Sequence, residues 1–172
     1  MVFAVAWSPD GRRVASGGND NTVLVWNAKS GHRLLTYSGH TAPVRGVAWS
    51  PDGTRLASAN QVGTIQMWDA ASGRHLLTSR SQTAPLWVVA WSPSRVCLAS
   101  ATGNTSDEHP RETMKVWDAA TGHLVTRSLV PSGTAYADGT LSLVWSPDST
   151  CIASGGADTI VHLWTAPAFC RK

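Results

Sequence analysis

The sequence predicts an all-β fold built from four repeated sheets. Three observations carry this: nine Trp against two Phe and two Tyr, short apolar runs bounded by turn residues, and no segment with helical periodicity over ten residues. The segment Val5-Ala6-Trp7-Ser8-Pro9-Asp10-Gly11 returns as Val47-Ala48-Trp49-Ser50-Pro51-Asp52-Gly53, as Val89-Ala90-Trp91-Ser92-Pro93 and as Leu143-Val144-Trp145-Ser146-Pro147-Asp148, with Trp spacings of 42, 42 and 54. An Ala-Ser pair follows each, ending at Ser16, Ser58, Ser100 and Ser154, and a second Trp closes an apolar run at Trp26, Trp68, Trp117 and Trp164. Eight of the nine tryptophans thus hold two repeat positions, and a fixed period of this kind is the mark of a repeat architecture.

The second unit shows the elements in order. Val44 to Trp49 reads as a strand, Ser50-Pro51-Asp52-Gly53 as a turn, Arg55 to Ala59 as a strand, Gln61-Val62-Gly63 as a turn and Thr64 to Asp69 as a strand. After Ala71-Ser72-Gly73 comes a fourth run, His75 to Ser79. Pro presets the second turn position, and Asp or Gly tolerates the conformation that follows, so the turn assignment has a mechanism. The units run approximately over residues 1–39, 40–81, 82–135 and 136–172 of one domain.

Composition narrows the function classes. The chain of 172 residues carries 14 Lys+Arg and 11 Asp+Glu, a net charge of +3 too small and too evenly spread to form a basic stripe. Arg12, Arg13, Arg33, Arg74 and Arg80 are scattered, so no nucleic acid is expected as a partner. No window approaches 18 consecutive apolar residues, and residues 1–10 lack a basic segment followed by a long apolar run; neither a membrane span nor a secretory signal is expected, and the expected location is cytoplasmic. Cys97, Cys151 and Cys170 are odd in number, far apart and without a Cys-x-x-Cys, so they read as ordinary thiols. No cofactor or metal is expected.

Four strands per unit of about 42 residues, with Trp-Asp closing the third strand at Trp68-Asp69 and Trp117-Asp118 and Gly39-His40 preceding the second unit, resemble the WD-repeat (WD40) β-propeller family. The resemblance covers nearly the whole chain. It implies a β-propeller of WD40 type with four blades of four-stranded antiparallel sheet, the last blade incomplete because only residues 165–172 follow Trp164. It also implies a buried hydrogen-bond network within each blade. The residues matching it are Ser16, Asp20 and Trp26 in unit one; His40, Ser58 and Trp68 in unit two; Ser100 and Trp117 in unit three; and Ser154, Asp158 and Trp164 in unit four. No unit has the full set: Val62 stands where unit two should carry Asp, Gln82 replaces the His of unit three, and Tyr136 lies near the His position of unit four. Recurrence once per unit assigns these Ser, His and Asp residues to structure, because a catalytic triad converges once, at one cleft. Each missing partner leaves a buried polar group at a cost of roughly 1–3 kcal/mol unless compensated locally.

Departures from the repeat are where function is sought. Ser100 to Trp117 spans 17 residues where the other units use 10, placing extra residues in Thr102 to Glu112. Trp117 to Trp145 spans 28 where the other intervals are 23, placing more in Val130 to Gly139. Both insertions are expected on one face, and Asp107, Glu108, Arg111 and Tyr136 within them are candidate partner contacts. Phe3, Arg45, Trp87 and Leu141 align at a variable position of the first strand, near the same upper face, and Arg45 and Trp87 are candidate interface anchors.

Rings of this family most often have seven blades, so four blades span roughly four-sevenths of a circle and expose two apolar blade faces. The chain is then expected to be a fragment of a longer propeller, to pair with another half as a homodimer, or to close as a strained four-bladed ring. The expected function is a non-enzymatic scaffold that binds protein or peptide partners through its upper face and rim. The alternative is a ligand-binding or regulatory segment of a larger bacterial signalling protein, compatible with the 11 Arg and 3 Lys.

Overall fold

The computed structural model describes residues 1–80, 85–102, 112–129, 139–156 and 158–171. They form four antiparallel sheets. Blade one contains β1 (Val2–Trp7), β2 (Arg13–Gly18), β3 (Val23–Asn27) and β4 (Arg33–Tyr37); blade two contains β5 (Val44–Trp49), β6 (Arg55–Asn60), β7 (Thr64–Asp69) and β8 (His75–Arg80). Blade three contains β9 (Leu86–Trp91), β10 (Cys97–Thr102), β11 (Glu112–Asp118) and β12 (Leu124–Leu129), and blade four only β13 (Thr140–Trp145), β14 (Cys151–Gly156) and β15 (Val161–Thr165). Within each blade the strands pair in chain order. After β15 the chain forms a short 3-10 helix, Ala168–Arg171. Among the described residues no helix is long and apolar enough to cross a membrane.

The Ser-Pro-Asp-Gly turns are built as their chemistry requires. In blade two the Ser50 hydroxyl donates to Asp52 Oδ1 at 2.6 Å while Ser50 Oγ accepts from the Arg55 amide at 2.9 Å, and Asp52 Oδ1 also accepts from the Thr54 amide at 3.0 Å. The last turn residue is left-handed: φ is +67° at Gly11 and +69° at Gly53, but the same place is held by Arg95 (+68°) and Ser149 (+59°) in blades three and four. A side chain is strained there, by about 1–2 kcal/mol. Arg95 gives in return only an exposed ion pair with Asp52 at 3.4 Å, worth little. Arg95→Gly is therefore expected to stabilise the fold by about 0.5–1 kcal/mol, read as a higher urea midpoint; a lower midpoint contradicts the strain argument.

The core lies between the blades. One cluster joins Val23 and Val25 of blade one to Val47, Trp49 and Leu56 of blade two; a second joins Ile65 and Met67 to Val89, Trp91 and Leu98; a third joins Met114 and Val116 to Leu143 and Ile152. Two of the three joints are pinned near their lower end, while at the joint between blades two and three Trp91 Nε1 is buried without a hydrogen-bond partner. Trp49 Nε1 donates to the Ala6 carbonyl at 3.1 Å and Trp145 Nε1 to the Ala90 carbonyl at 3.2 Å, each a Trp of strand one reaching the strand one before it. Arg13 adds hydrogen bonds to the Gly53 and Ala70 carbonyls and lies 4.5 Å from the Trp49 ring centre. The first strands thus line a central channel in the order β1, β5, β9, β13.

One sequence expectation is corrected here. Cys97 and Cys170 are not ordinary thiols: they form a disulfide, with Cα atoms 5.5 Å apart, that ties β10 to the 3-10 helix across the joint between blades three and four. Cys151 is free and exposed.

Candidate functional site

In every blade the ladder between the first two strands slips by one residue at the same place. Pairing steps from Val2 to Ala4, from Val44 to Gly46, from Leu86 to Val88 and from Thr140 to Ser142. The residue passed over is Phe3, Arg45, Trp87 or Leu141, the aligned variable position. A bulge bends its strand and re-aims the extra side chain. Here the four bulges bring these four residues to one end of the channel, where with Val5, Val47 and Val89 they line an open cleft of about 390 Å³.

Arg45 is the charged group in that lining. Its guanidinium carbon lies 3.8 Å from the Phe3 ring centre and 5.8 Å from that of Trp87, and Nη2 donates to Gln61 Oε1 at 3.0 Å. Nε is buried without a hydrogen-bond partner. Cation–π contacts of this kind contribute roughly 0.5–1 kcal/mol at an exposed site and hold the cation in place. Gly46 lets the strands close on one another, since a Cβ there would sit 3.1 Å from the Trp87 carbonyl oxygen and the Val89 nitrogen. A held cation between aromatic faces suits a ligand that presents a carboxylate or carbonyl beside an apolar side chain. Among the described residues, the lining of the cleft includes no nucleophile or general base.

The residues matched to the family's buried network are distributed differently from blade to blade. Trp26 Nε1 donates to Ser16 Oγ at 2.9 Å, Trp117 Nε1 to Ser100 Oγ at 2.8 Å and Trp164 Nε1 to Ser154 Oγ at 2.8 Å. In blade two Ser58 Oγ lies 2.7 Å from His40 Nε2 instead, and Trp68 Nε1 has no partner. The Trp68 ring is stacked on Tyr37 at 4.8 Å, and Tyr37 donates its hydroxyl to Gln66 Oε1 at 3.0 Å. Burial holds the His40 imidazole down, to a pKa of about 4.

Asp20 does not join the network expected of it. Its Oδ1 accepts from the Thr22 amide at 3.2 Å and the Thr22 hydroxyl at 2.9 Å, capping its own turn, and those hydrogen bonds lower its pKa. Asp158 caps its turn through the Ile160 amide at 3.2 Å and also meets His162 Nε2 at 2.8 Å. In blade two Val62 is exposed, and Asn60 takes over the capping role, its Oδ1 accepting from the Val62 amide at 3.2 Å and the Thr64 amide at 2.9 Å. Asn60, Gln66 and His162 were not singled out from the sequence. For Asn60 the signal was there, an Asn three residues before a turn glycine, as Asx turns prefer.

Asp107, Glu108, Arg111 and Tyr136 lie outside the described residues. His32, His75 and His123 are exposed, and among the described residues no group of three His, Cys, Asp or Glu side chains is placed to hold a metal.

Three four-stranded blades and one three-stranded blade, each paired in chain order, a strand-one Trp hydrogen-bonded across two of the three joints and a channel lined by first strands define a β-propeller assembly. The family model described as WD domain, G-beta repeat, matches residues 1–27, 31–69 and 128–165, together more than half of the chain. The chain belongs to the WD-repeat family, whose members are generally interaction scaffolds. Residues 70–127 fall outside those matches, yet blade three is four-stranded like its neighbours. Over 44 residues, 26% of the chain, it is 52% identical to Protein FIZZY-RELATED 2 of Arabidopsis thaliana, of which the match covers 9%. It is 48% identical over 40 residues to the Periodic tryptophan protein 2 homolog of Dictyostelium discoideum, covering 23% of the chain and 4% of that protein. It is also 46% identical over 44 residues to the WD repeat-containing protein slp1 of Schizosaccharomyces pombe, covering 26% and 9%. The chain spans less than a tenth of the length of these relatives. They are eukaryotic and lend no support to a bacterial signalling protein.

Proposed function

We propose that the chain is a non-enzymatic interaction module that holds a protein or peptide partner at the mouth of its central channel. The observation that carries this reading is the convergence of four bulged residues, Phe3, Arg45, Trp87 and Leu141, on one cleft with a cation held against aromatic rings. The repeat does not need those side chains to fold its strands, since each is passed over by the ladder. The preferred ligand is an extended segment carrying an acidic residue next to an apolar one. Selection from a displayed peptide library against the chain tests this: enriched peptides should share that pattern and be lost from the Arg45→Ala and Trp87→Ala chains. Enrichment that both variants retain contradicts the proposed site.

A further inference from the structure

Blade two has a neighbouring blade on each side, and it brings a pair of polar residues to the channel mouth. The turn after β6 is tied to the start of β5 by its backbone: the Gln61 amide donates to the Pro43 carbonyl at 2.9 Å, two residues before the bulged Arg45. Blade one repeats the tie, with the Asn19 amide donating to the Met1 carbonyl at 2.9 Å, two residues before Phe3. Main-chain atoms alone thus set the first residue of this turn near the variable position, so the fold does not dictate its side chain.

In blade two that side chain meets Arg45. A guanidinium carries only donors, so Gln61 turns its oxygen to Arg45 Nη2, at 3.0 Å, and its amide nitrogen stays beside the cation with two N–H groups that this bond does not use. Gln61 is exposed. Arg45 is held against the Phe3 ring, and among the described residues no carboxylate pairs with it. Asp20 and Asp158, in the corresponding turns of blades one and four, cap their own backbone. The mouth therefore offers one positive charge and one neutral amide donor side by side, over a cleft whose other lining residues are apolar.

We infer that Gln61 is a specificity-determining residue of the mouth: together with Arg45 it reads the side-chain carboxylate of a bound peptide segment. Arg45 supplies the charge, and Gln61 Nε2 supplies a second hydrogen bond. This rests on the reading of the mouth as the partner site and defines its polar half. A carboxylate has two acceptor oxygens and one negative charge, which a single guanidinium balances. A phosphoryl group, at about −1.5 to −2, is left under-neutralised by one cation. Glu in place of Gln61 would neutralise Arg45 from within the chain and repel the ligand's acid.

The test uses the peptide most enriched by the parent chain from the displayed library, synthesised with an amidated carboxyl terminus. It is made in three forms: unchanged, with its acidic residue replaced by the matching amide, and with that residue replaced by phosphoserine. Each form is titrated calorimetrically into the parent, Gln61→Ala and Gln61→Glu chains. Gln61 is exposed and its main-chain bond does not depend on its side chain, so both variants should keep the parent's circular dichroism and melting temperature. The parent should bind the acid form at least about tenfold tighter than either other form. Gln61→Ala should cut the preference for acid over amide by about threefold to tenfold. Gln61→Glu should abolish or invert that preference while binding the amide form within about threefold of the parent. An acid preference that either variant leaves unchanged, a phosphoserine form that binds tighter, binding lost on amidation, or enriched peptides without an acidic residue overturns the inference and leaves the mouth as the partner site. Enrichment that Arg45→Ala and Trp87→Ala both retain overturns the reading of the mouth and this inference with it.

Discussion

Reducing the Cys97–Cys170 disulfide lowers the folding stability by about 4 kcal/mol. The bond closes a loop of 73 residues, and fixing the ends of a loop that long removes roughly this much free energy of disorder from the unfolded chain. Both cysteines are buried in the joint between blades three and four, where Ser94 Oγ also donates to the Cys170 carbonyl at 2.6 Å. Where the other blades have a fourth strand, blade four has this stapled helix. Urea unfolding with and without a strong reductant measures the effect, with the Cys170→Ala chain as control. The oxidised chain should lose most of its advantage on reduction, and Cys170→Ala should be low in both conditions. Equal midpoints for the oxidised and reduced chain contradict the assigned role.

Lowering the pH from 7 to 4 costs the fold about 3 kcal/mol through His40 alone. Its pKa is about 4 in the folded chain because the ring is buried, against 6.5 for a solvated imidazole. Between those values the unfolded chain takes up a proton that the folded chain refuses, so stability falls as pH falls and the loss is complete below pH 4. The turn carboxylates act in a different window. Hydrogen bonds from Ser146 and Thr150 hold Asp148 down, to a pKa of about 2; burial pushes Asp52 up, but hydrogen bonds from Ser50, Thr54 and Arg95 outweigh it, so both lose their contribution only below the ordinary carboxylate range. Unfolding free energy measured across pH 4 to 7 should therefore slope by close to one proton for the parent and flatten for His40→Gln. An unchanged slope in His40→Gln removes His40 from the account.

The blades were legible because their determinants are local. Pro presets a turn, a small residue accepts a positive φ, and strand residues alternate, so strand bounds read for blade two fall within one residue of those observed. The variable position on strand one was also legible as an alignment of Phe3, Arg45, Trp87 and Leu141. What made it a site was not: the ladder slip that turns all four to the channel mouth is a property of strand pairing, and nothing in the sequence of one strand announces it. The disulfide was missed for a related reason. Cys170 belongs to the tail and not to the repeat, and its approach to β10 is set by how that tail packs, which no spacing in the sequence shows. The buried network was over-read, since Asp20 and Asp158 cap their own turns and Trp68 relies on stacking against Tyr37.

The most direct test of the channel mouth as the partner site is a calorimetric titration of a library-selected peptide into the parent, Arg45→Ala, Trp87→Ala and, as a control on an exposed turn at the opposite end of the blades, Arg74→Ala. The account predicts that Arg45→Ala and Trp87→Ala each weaken binding at least about tenfold, with melting temperatures near the parent's and Arg74→Ala binding as the parent does. Equal affinities for all four chains would place the partner elsewhere and contradict the reading of the bulged residues as a binding site.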